Sequence, residues 1–241
     1  MDDTLGVRLI MPETISIPAH DGGSFDGFLF KPATLPAPGI VMVPEIFGVN
    51  VAIHKIAERF AAEGFLVLLL DIFWRHERHV AIDYNPPGFK RARDFHAAFS
   101  YADGTLDTDA AVTVLRGHAD CNGKVGVVGF CLGGTLAYRA AITGKADAAV
   151  GYYPTKVSQY FVETASVQKP LLMHFAEHDA LTPDEVMAKV LPELEAHPQV
   201  TAHIYAGAGH AFANPLGPGY HAESATTADV RSFAFFHRWL G

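Results

Sequence analysis

Residues 123–134, with the sequence Gly-Lys-Val-Gly-Val-Val-Gly-Phe-Cys-Leu-Gly-Gly, decide the fold. A short apolar run over 124–128 predicts a buried strand, and residues 132 to about 142 predict a helix. Between them, Gly129 to Gly133 fits the pattern Gly-X-nucleophile-X-Gly, with Cys131 as the nucleophile. Positions two before and two after the nucleophile must be small, because strand and helix approach closely around a strained turn. The stretch therefore predicts a strand–turn–helix unit that carries a reactive cysteine.

The rest of the chain alternates short apolar runs with helix-period segments, which is typical of parallel strands joined by crossover helices. We therefore expect one α/β domain over residues 1–241 with a mostly parallel central sheet. Residues 14–18 and 25–31 flank a turn and predict an antiparallel pair at the sheet edge. Further strands are predicted at 39–43, 65–70, 148–152, 170–175 and 200–205, and further helices at 51–63, from about 89, at 105–118, between the last two strands, and at 222–240.

Composition excludes several classes of protein. Of the 241 residues, 49% are hydrophobic and 18% are charged, which is typical of a globular chain. The formal charge is −8 and the basic residues form no long run, so we expect no nucleic-acid partner. The longest strongly apolar run, 65–70, is far shorter than the roughly 20 residues that span a membrane. The start, Met1-Asp2-Asp3-Thr4, lacks a secretion signal and two cysteines make no disulfide framework, so we expect a cytoplasmic protein.

Cys131 would begin a helix, where the helix dipole and free N–H groups favour a thiolate. The alternative is a buried structural cysteine without reactivity. Cys121 is predicted to lie in a turn at the opposite end of the same strand, and we assign it no role.

A cysteine nucleophile needs a base, and in such sheets the order along the chain is nucleophile, acid, histidine. The loop after the strand at 170–175 offers Asp179, and the loop after 200–205 offers His210. Asp179 could instead cap a helix, but residues 182–185 already supply a cap, a proline and a glutamate in the right order. His178 is the main competitor of His210.

Glu45 follows the first core strand at the same end of the sheet, where its carboxylate could reach the thiol. It could equally be an ordinary solvated glutamate. The turn that carries it also offers a backbone N–H, so the donors of an oxyanion hole would be Ile46 and Leu132.

Together, these residues resemble the dienelactone hydrolases (carboxymethylenebutenolidases) of the α/β-hydrolase fold. The likeness covers nearly the whole chain and rests on Glu45-Ile46-Phe47-Gly48-Val49-Asn50, residues 123–126 and 129–134, Gly151-Tyr152-Tyr153, and Ala208-Gly209-His210 with Phe212. The resemblance implies helices on both sheet faces and a triad of Cys131, His210 and Asp179. It also implies that Glu45 contacts the thiol and takes its proton when substrate binds. The implied reaction is hydrolysis of an enol lactone during the degradation of aromatic compounds.

The chain departs from the family pattern where a substrate carboxylate would bind. The family has an arginine four residues after the triad histidine, and here that position is Asn214. A second family arginine, with a nearby tyrosine, falls within 89–94, where the match is poor. Lys90, Arg91 and Arg93 are candidates for the missing charge, with Arg93 assigned to the pocket, although basic residues beside a helix start usually form a solvated face. The alternative is a substrate that is larger or less anionic than a dienelactone. Phe47, Tyr153 and Phe212 are expected to line the pocket or to belong to the core.

The expected function is hydrolysis of a small-molecule lactone or ester through a thiol ester on Cys131, without metal or organic cofactor. One alternative is a redox-sensing or non-catalytic binding protein in which this thiol is oxidised rather than acylated. Metal binding through His76 and His79 is a weaker alternative, because the segment has no ligand pattern.

Overall fold

The computed structural model describes residues 12–241, and the amino-terminal segment behind the cytoplasmic expectation lies outside them. The described strands form one sheet of eight, in the order β1-β2-β4-β3-β5-β6-β7-β8. Strands β3 to β8 run parallel, whereas β1 and β2 form an antiparallel edge. The predicted α/β class is confirmed. The strands are β1 (Glu13–Pro18), β2 (Ser24–Phe30), β3 (Ala37–Val43), β4 (Leu66–Leu70), β5 (Cys121–Phe130), β6 (Ala148–Tyr152), β7 (Leu171–His178) and β8 (Val200–Gly209).

Helices cover both faces of the sheet. They are α1 (Val51–Ala62), α2 (Pro86–Ala98), α3 (Tyr101–Arg116), α4 (Leu132–Thr143), α5 (Val157–Tyr160), α6 (Asp184–Ala196) and α7 (Ala222–Leu240). Apolar side chains of α1 and α7 pack on one face, and those of α3 and α4 pack on the other, so the core has two layers. Within residues 12–241, no helix combines the length and hydropathy that a membrane span requires.

Helix α2 begins three residues before the predicted start at about Phe89. The Asn85 side chain accepts a hydrogen bond from the Gly88 N–H at 2.8 Å and caps the helix. Pro86 and Pro87 occupy its first turn, where their missing N–H groups would have had no helical partner. The motif Asn-Pro-Pro-Gly therefore starts this helix rather than interrupting it.

Strands β7 and β8 extend beyond their predicted ends. After an irregularity in the register, His178 pairs with Gly209. Gly207 has a φ of +70°, a conformation that glycine adopts without strain, and its N–H donates to Glu177. This added pairing places the loop after β7 directly beside the loop after β8.

Two local predictions are wrong, and one pair of short helical turns was not predicted. Cys121 begins strand β5 instead of lying in a turn, because residue 37 pairs with it across the sheet. Thr182 does not cap α6, since its hydroxyl donates to the Pro154 carbonyl instead. A pair of short helical turns, α5 and the 3₁₀ helix Phe161–Ser166, was not predicted, because it is held by burial of Val157 and Phe161 rather than by a sequence period.

Candidate active site

Cys131 occupies a strained turn between β5 and α4. Its φ is +56° and its ψ is −113°, and its side chain is buried with 4% of the residue exposed. A Cβ added to Gly129 would lie 1.8 Å from the Gly133 carbonyl oxygen, and one added to Gly133 would lie 2.2 Å from the Val43 carbonyl oxygen. The two glycines therefore let strand and helix meet around the cysteine.

We expect Gly129→Ala to destabilise the fold by about 2 kcal/mol or more, because the added carbon can be accommodated only by moving backbone. Urea unfolding measures the change. Gly117→Ala is the matched control, since a Cβ there meets nothing closer than 3.7 Å. Equal stability of the two variants would contradict the close approach at the turn.

His210 and Asp179 are joined directly. His210 Nδ1 lies 2.8 Å from Asp179 Oδ2, and the other carboxylate oxygen accepts the Leu181 N–H at 2.9 Å. His210 Nε2 is buried and has no hydrogen-bond partner among the described residues. Burial opposes a positive charge on the imidazole, but a negative Cys131 and the Asp179 carboxylate outweigh it and raise the pKa of His210 to about 10. Asp179 thus orients one ring nitrogen, and the other belongs to an imidazole that responds to the charge of Cys131.

His178, the competing base, points elsewhere. Its side chain is 71% exposed and lies 3.4 Å from Glu177. The structure therefore brings His210, and not His178, to Asp179.

Glu45 is buried at the end of β3 rather than solvated. Its Oε1 accepts a hydrogen bond from the Tyr84 hydroxyl at 2.7 Å and another from Asn214 Nδ2 at 2.7 Å. Burial raises the pKa of Glu45, while these two hydrogen bonds and the charge of His210 act in the opposite direction. Asn214, at the position of the family arginine, thus contacts Glu45 through a neutral amide.

The cavity at this end of the sheet has a volume of about 500 Å³. Its wall includes Cys131, His210 and Glu45, so the structure gathers the predicted reactive groups around one space. Ile46 also faces it, while Leu132 is the first residue of α4.

Two of the expected pocket residues lie in the core instead. Tyr153 and Phe212 are 1% and 0% exposed and pack against each other with ring centroids 5.3 Å apart. The Tyr153 ring also packs against the His210 ring, with ring centroids 5.2 Å apart, so Tyr153 supports the histidine from the core. Phe47 does line the cavity.

The basic residues of α2 separate into two groups. Lys90 pairs with Asp94 and Arg91 with Glu77 on the exposed side of the helix. Arg93 lines the cavity, and His96 lies there one turn later.

Sequence reasoning missed Tyr84 and Lys156, both in the cavity wall. Neither belongs to a periodic element or to a catalytic motif. The only signal for Tyr84 was its position five residues before the segment where the family places a tyrosine.

The histidines of the proposed metal segment serve other contacts. His79 Nε2 lies 2.7 Å from Asp26 Oδ2, and the His76 ring packs against Phe95. Among residues 12–241, no three histidine, cysteine or acidic side chains are placed to hold one metal ion.

A cysteine in a strained turn after a central parallel strand, with an aspartate and a histidine after the last two strands, defines the α/β-hydrolase class. Within that class, the chain belongs to the dienelactone hydrolase family, whose model matches residues 25–240. Carboxymethylenebutenolidase of Pseudomonas putida is 34% identical over 230 residues, 94% of this chain and 96% of its own length. A protein of Azospirillum brasilense, provisionally named a carboxymethylenebutenolidase, is 40% identical over 236 residues. The match covers 94% of this chain and 99% of that protein's length.

Solved structures agree on the fold. A crystal structure from Klebsiella pneumoniae, provisionally described as a dienelactone hydrolase, superposes with a TM-score of 0.82 at 24% identity, covering 95% of this chain and 99% of the other. The protein is a carboxylic ester or lactone hydrolase of this family.

Proposed function

We propose that the chain hydrolyses a lactone or small carboxylic ester through a thiol ester on Cys131. The observation that carries this proposal is the oriented imidazole. His210 is bonded through Nδ1 to Asp179, its Nε2 is buried without a hydrogen-bond partner among residues 12–241, and His210 and Cys131 line the same cavity. This is the arrangement that a base serving a nucleophile requires.

In the first half of the reaction, the Cys131 thiolate attacks the carbonyl carbon of the substrate. The developing oxyanion accepts hydrogen bonds from the Ile46 and Leu132 N–H groups. As the carbon–oxygen bond breaks, protonated His210 gives its Nε2 proton to the leaving oxygen. The acyl group remains on sulfur.

In the second half, neutral His210 removes a proton from a water molecule that attacks the thiol ester. The tetrahedral intermediate collapses, the acid is released and the thiolate returns with His210 protonated. Asp179 keeps the imidazole in the required orientation throughout. Glu45 controls the charge on the thiol before the first attack, as the family resemblance implies.

A turnover assay tests this function against the redox-sensor alternative. We expect an activated ester to give many equivalents of product per enzyme in the presence of a chelator and a thiol reductant. A single equivalent, followed by a permanently modified Cys131, would favour a reactive thiol without catalysis.

Asn214→Arg tests the substrate class. An arginine forms a short, often bidentate pair with a carboxylate, and a neutral amide cannot supply that charge. We expect the substitution to improve kcat/KM for an anionic dienelactone relative to a neutral ester by about 1 kcal/mol or more. The ratio is the measured quantity, so general damage to the site cancels.

A parent enzyme that already prefers the anion strongly, and does not respond to the substitution, would contradict a role for residue 214. Arg93 or Lys156, which line the same cavity, would then supply the charge.

A further inference from the structure

The polar cluster around Glu45 has hydrogen bonds whose directions are fixed. Asn214 Oδ1 accepts the N–H groups of Leu216 at 3.0 Å and Gly217 at 2.9 Å. Its amide nitrogen must therefore face the opposite way, where it donates to Glu45 at 2.7 Å and to the Tyr84 hydroxyl at 2.6 Å. A flipped amide would lose all four bonds.

Asn50 is oriented in the same manner. Its Oδ1 caps α1 by accepting the N–H groups of Ala52 and Ile53. Its Nδ2 consequently donates to the Ile82 carbonyl and to the Tyr84 hydroxyl, each at 3.0 Å.

The hydroxyl of Tyr84 thus receives two hydrogen bonds, which use both of its lone pairs. Its own proton remains, and the acceptor within reach is Glu45 Oε1 at 2.7 Å. Hydrogen bonds that end on a carboxylate favour its charged form. We propose that Tyr84 is a positioning residue whose hydroxyl holds Glu45 in the carboxylate form through a hydrogen bond of fixed direction.

The surroundings of Glu45 explain why its carboxylate form needs this hydrogen bond. Burial disfavours its charge, and in the described part of the chain both of its hydrogen bonds come from neutral groups. The titratable groups that face it come from other elements: His210 after β8, Cys131 before α4 and Tyr153 after β6. Arg93, His96 and Lys156 line the same cavity. The charge of His210 also favours the carboxylate, but the hydrogen bonds that end on it come from Tyr84 and Asn214.

This inference rests on the proposed function, in which Glu45 controls the charge on the thiol. A Glu45 kept ionised can accept the thiol proton, whereas a protonated one cannot. Tyr84 would then act on the reaction through Glu45 and not by touching the reacting atoms.

The test is Tyr84→Phe, which keeps the ring contacts with Phe47 and Phe89 and removes only the hydroxyl. The Glu45 carboxyl carbon is followed by carbon-13 NMR against pH and assigned with Glu45→Gln. We expect its midpoint to rise by about one pH unit or more, since the charged form loses a hydrogen bond. The acidic limb of kcat/KM for a neutral ester should move in the same direction.

Tyr220→Phe is the matched control, because Tyr220 is exposed and lies outside this cavity. The Glu45 midpoint in this variant should equal that of the parent. Asn214→Asp gives a second variant that keeps an oxygen for Leu216 and Gly217 but loses the amide donor. It should raise the midpoint as well.

An unchanged or lower midpoint in Tyr84→Phe would overturn the inference. The NMR midpoint does not depend on turnover, so the two proposals fail separately. If the Glu45 midpoint rises in Tyr84→Phe but Cys131→Ala remains active, only the thiol-ester function is refuted.

Discussion

Cys131→Ala is expected to lower kcat/KM for lactones and esters by about a thousandfold or more, because the atom that forms the acyl intermediate is lost. The fold should persist. The turn between β5 and α4 already accommodates a small buried side chain. Alanine at a φ of +56° is under the same backbone strain as cysteine. Steady-state kinetics and the urea midpoint measure the two effects.

Cys121→Ala is the control for this substitution. Cys121 is partly buried at the opposite end of β5 from the cavity, so its removal should leave kcat/KM within about twofold of the parent. Substantial turnover in Cys131→Ala would show that the nucleophile has been assigned wrongly.

His210→Ala should reduce kcat by about a thousandfold or more, and Asp179→Asn by a smaller factor, because the orienting carboxylate is usually the less severe loss in a catalytic unit. His178→Ala should have little effect, since that side chain is exposed beside Glu177. A greater loss in His178→Ala than in His210→Ala would mean that the base is the other histidine.

The pH dependence of His210 has a defined sign. A negative Cys131 and the Asp179 carboxylate raise the pKa of His210 to about 10, and burial acts against them. Asp179→Asn removes one of these charges, so the imidazole should lose its proton at lower pH than in the parent. Cys131→Ala should act in the same direction. Nitrogen-15 NMR of the His210 ring measures the midpoint, and an upward movement in either variant would contradict this electrostatic account.

The sequence alone determined the elements that depend on local pattern. Gly129 and Gly133 flank a cysteine between an apolar run and a helical period, and this predicted the turn because close strand–helix approach tolerates only small residues there. The order of strands also indicated which loops would meet at one edge of the sheet. That is why Asp179 and His210 could be proposed without a structure.

Tertiary structure decided which polar side chains face the cavity. Tyr84 comes from an irregular segment, and in the folded chain its ring packs against Phe47 and Phe89 while its hydroxyl reaches Glu45. Tertiary structure also decided which residues leave the cavity. The motifs of Tyr153 and Phe212 suggested a pocket, but their rings are buried in the core, where Tyr153 packs against His210.

The physical reason is the range over which each effect acts. A turn or a helix start is fixed by contacts within a few residues, as at Asn85 and Pro86. The Glu45 cluster joins residues up to 169 positions apart, and its charge state depends on burial that exists only after folding. The sequence therefore indicated the reactive groups, while the folded chain alone fixed the hydrogen bonds and the electrostatics that control them.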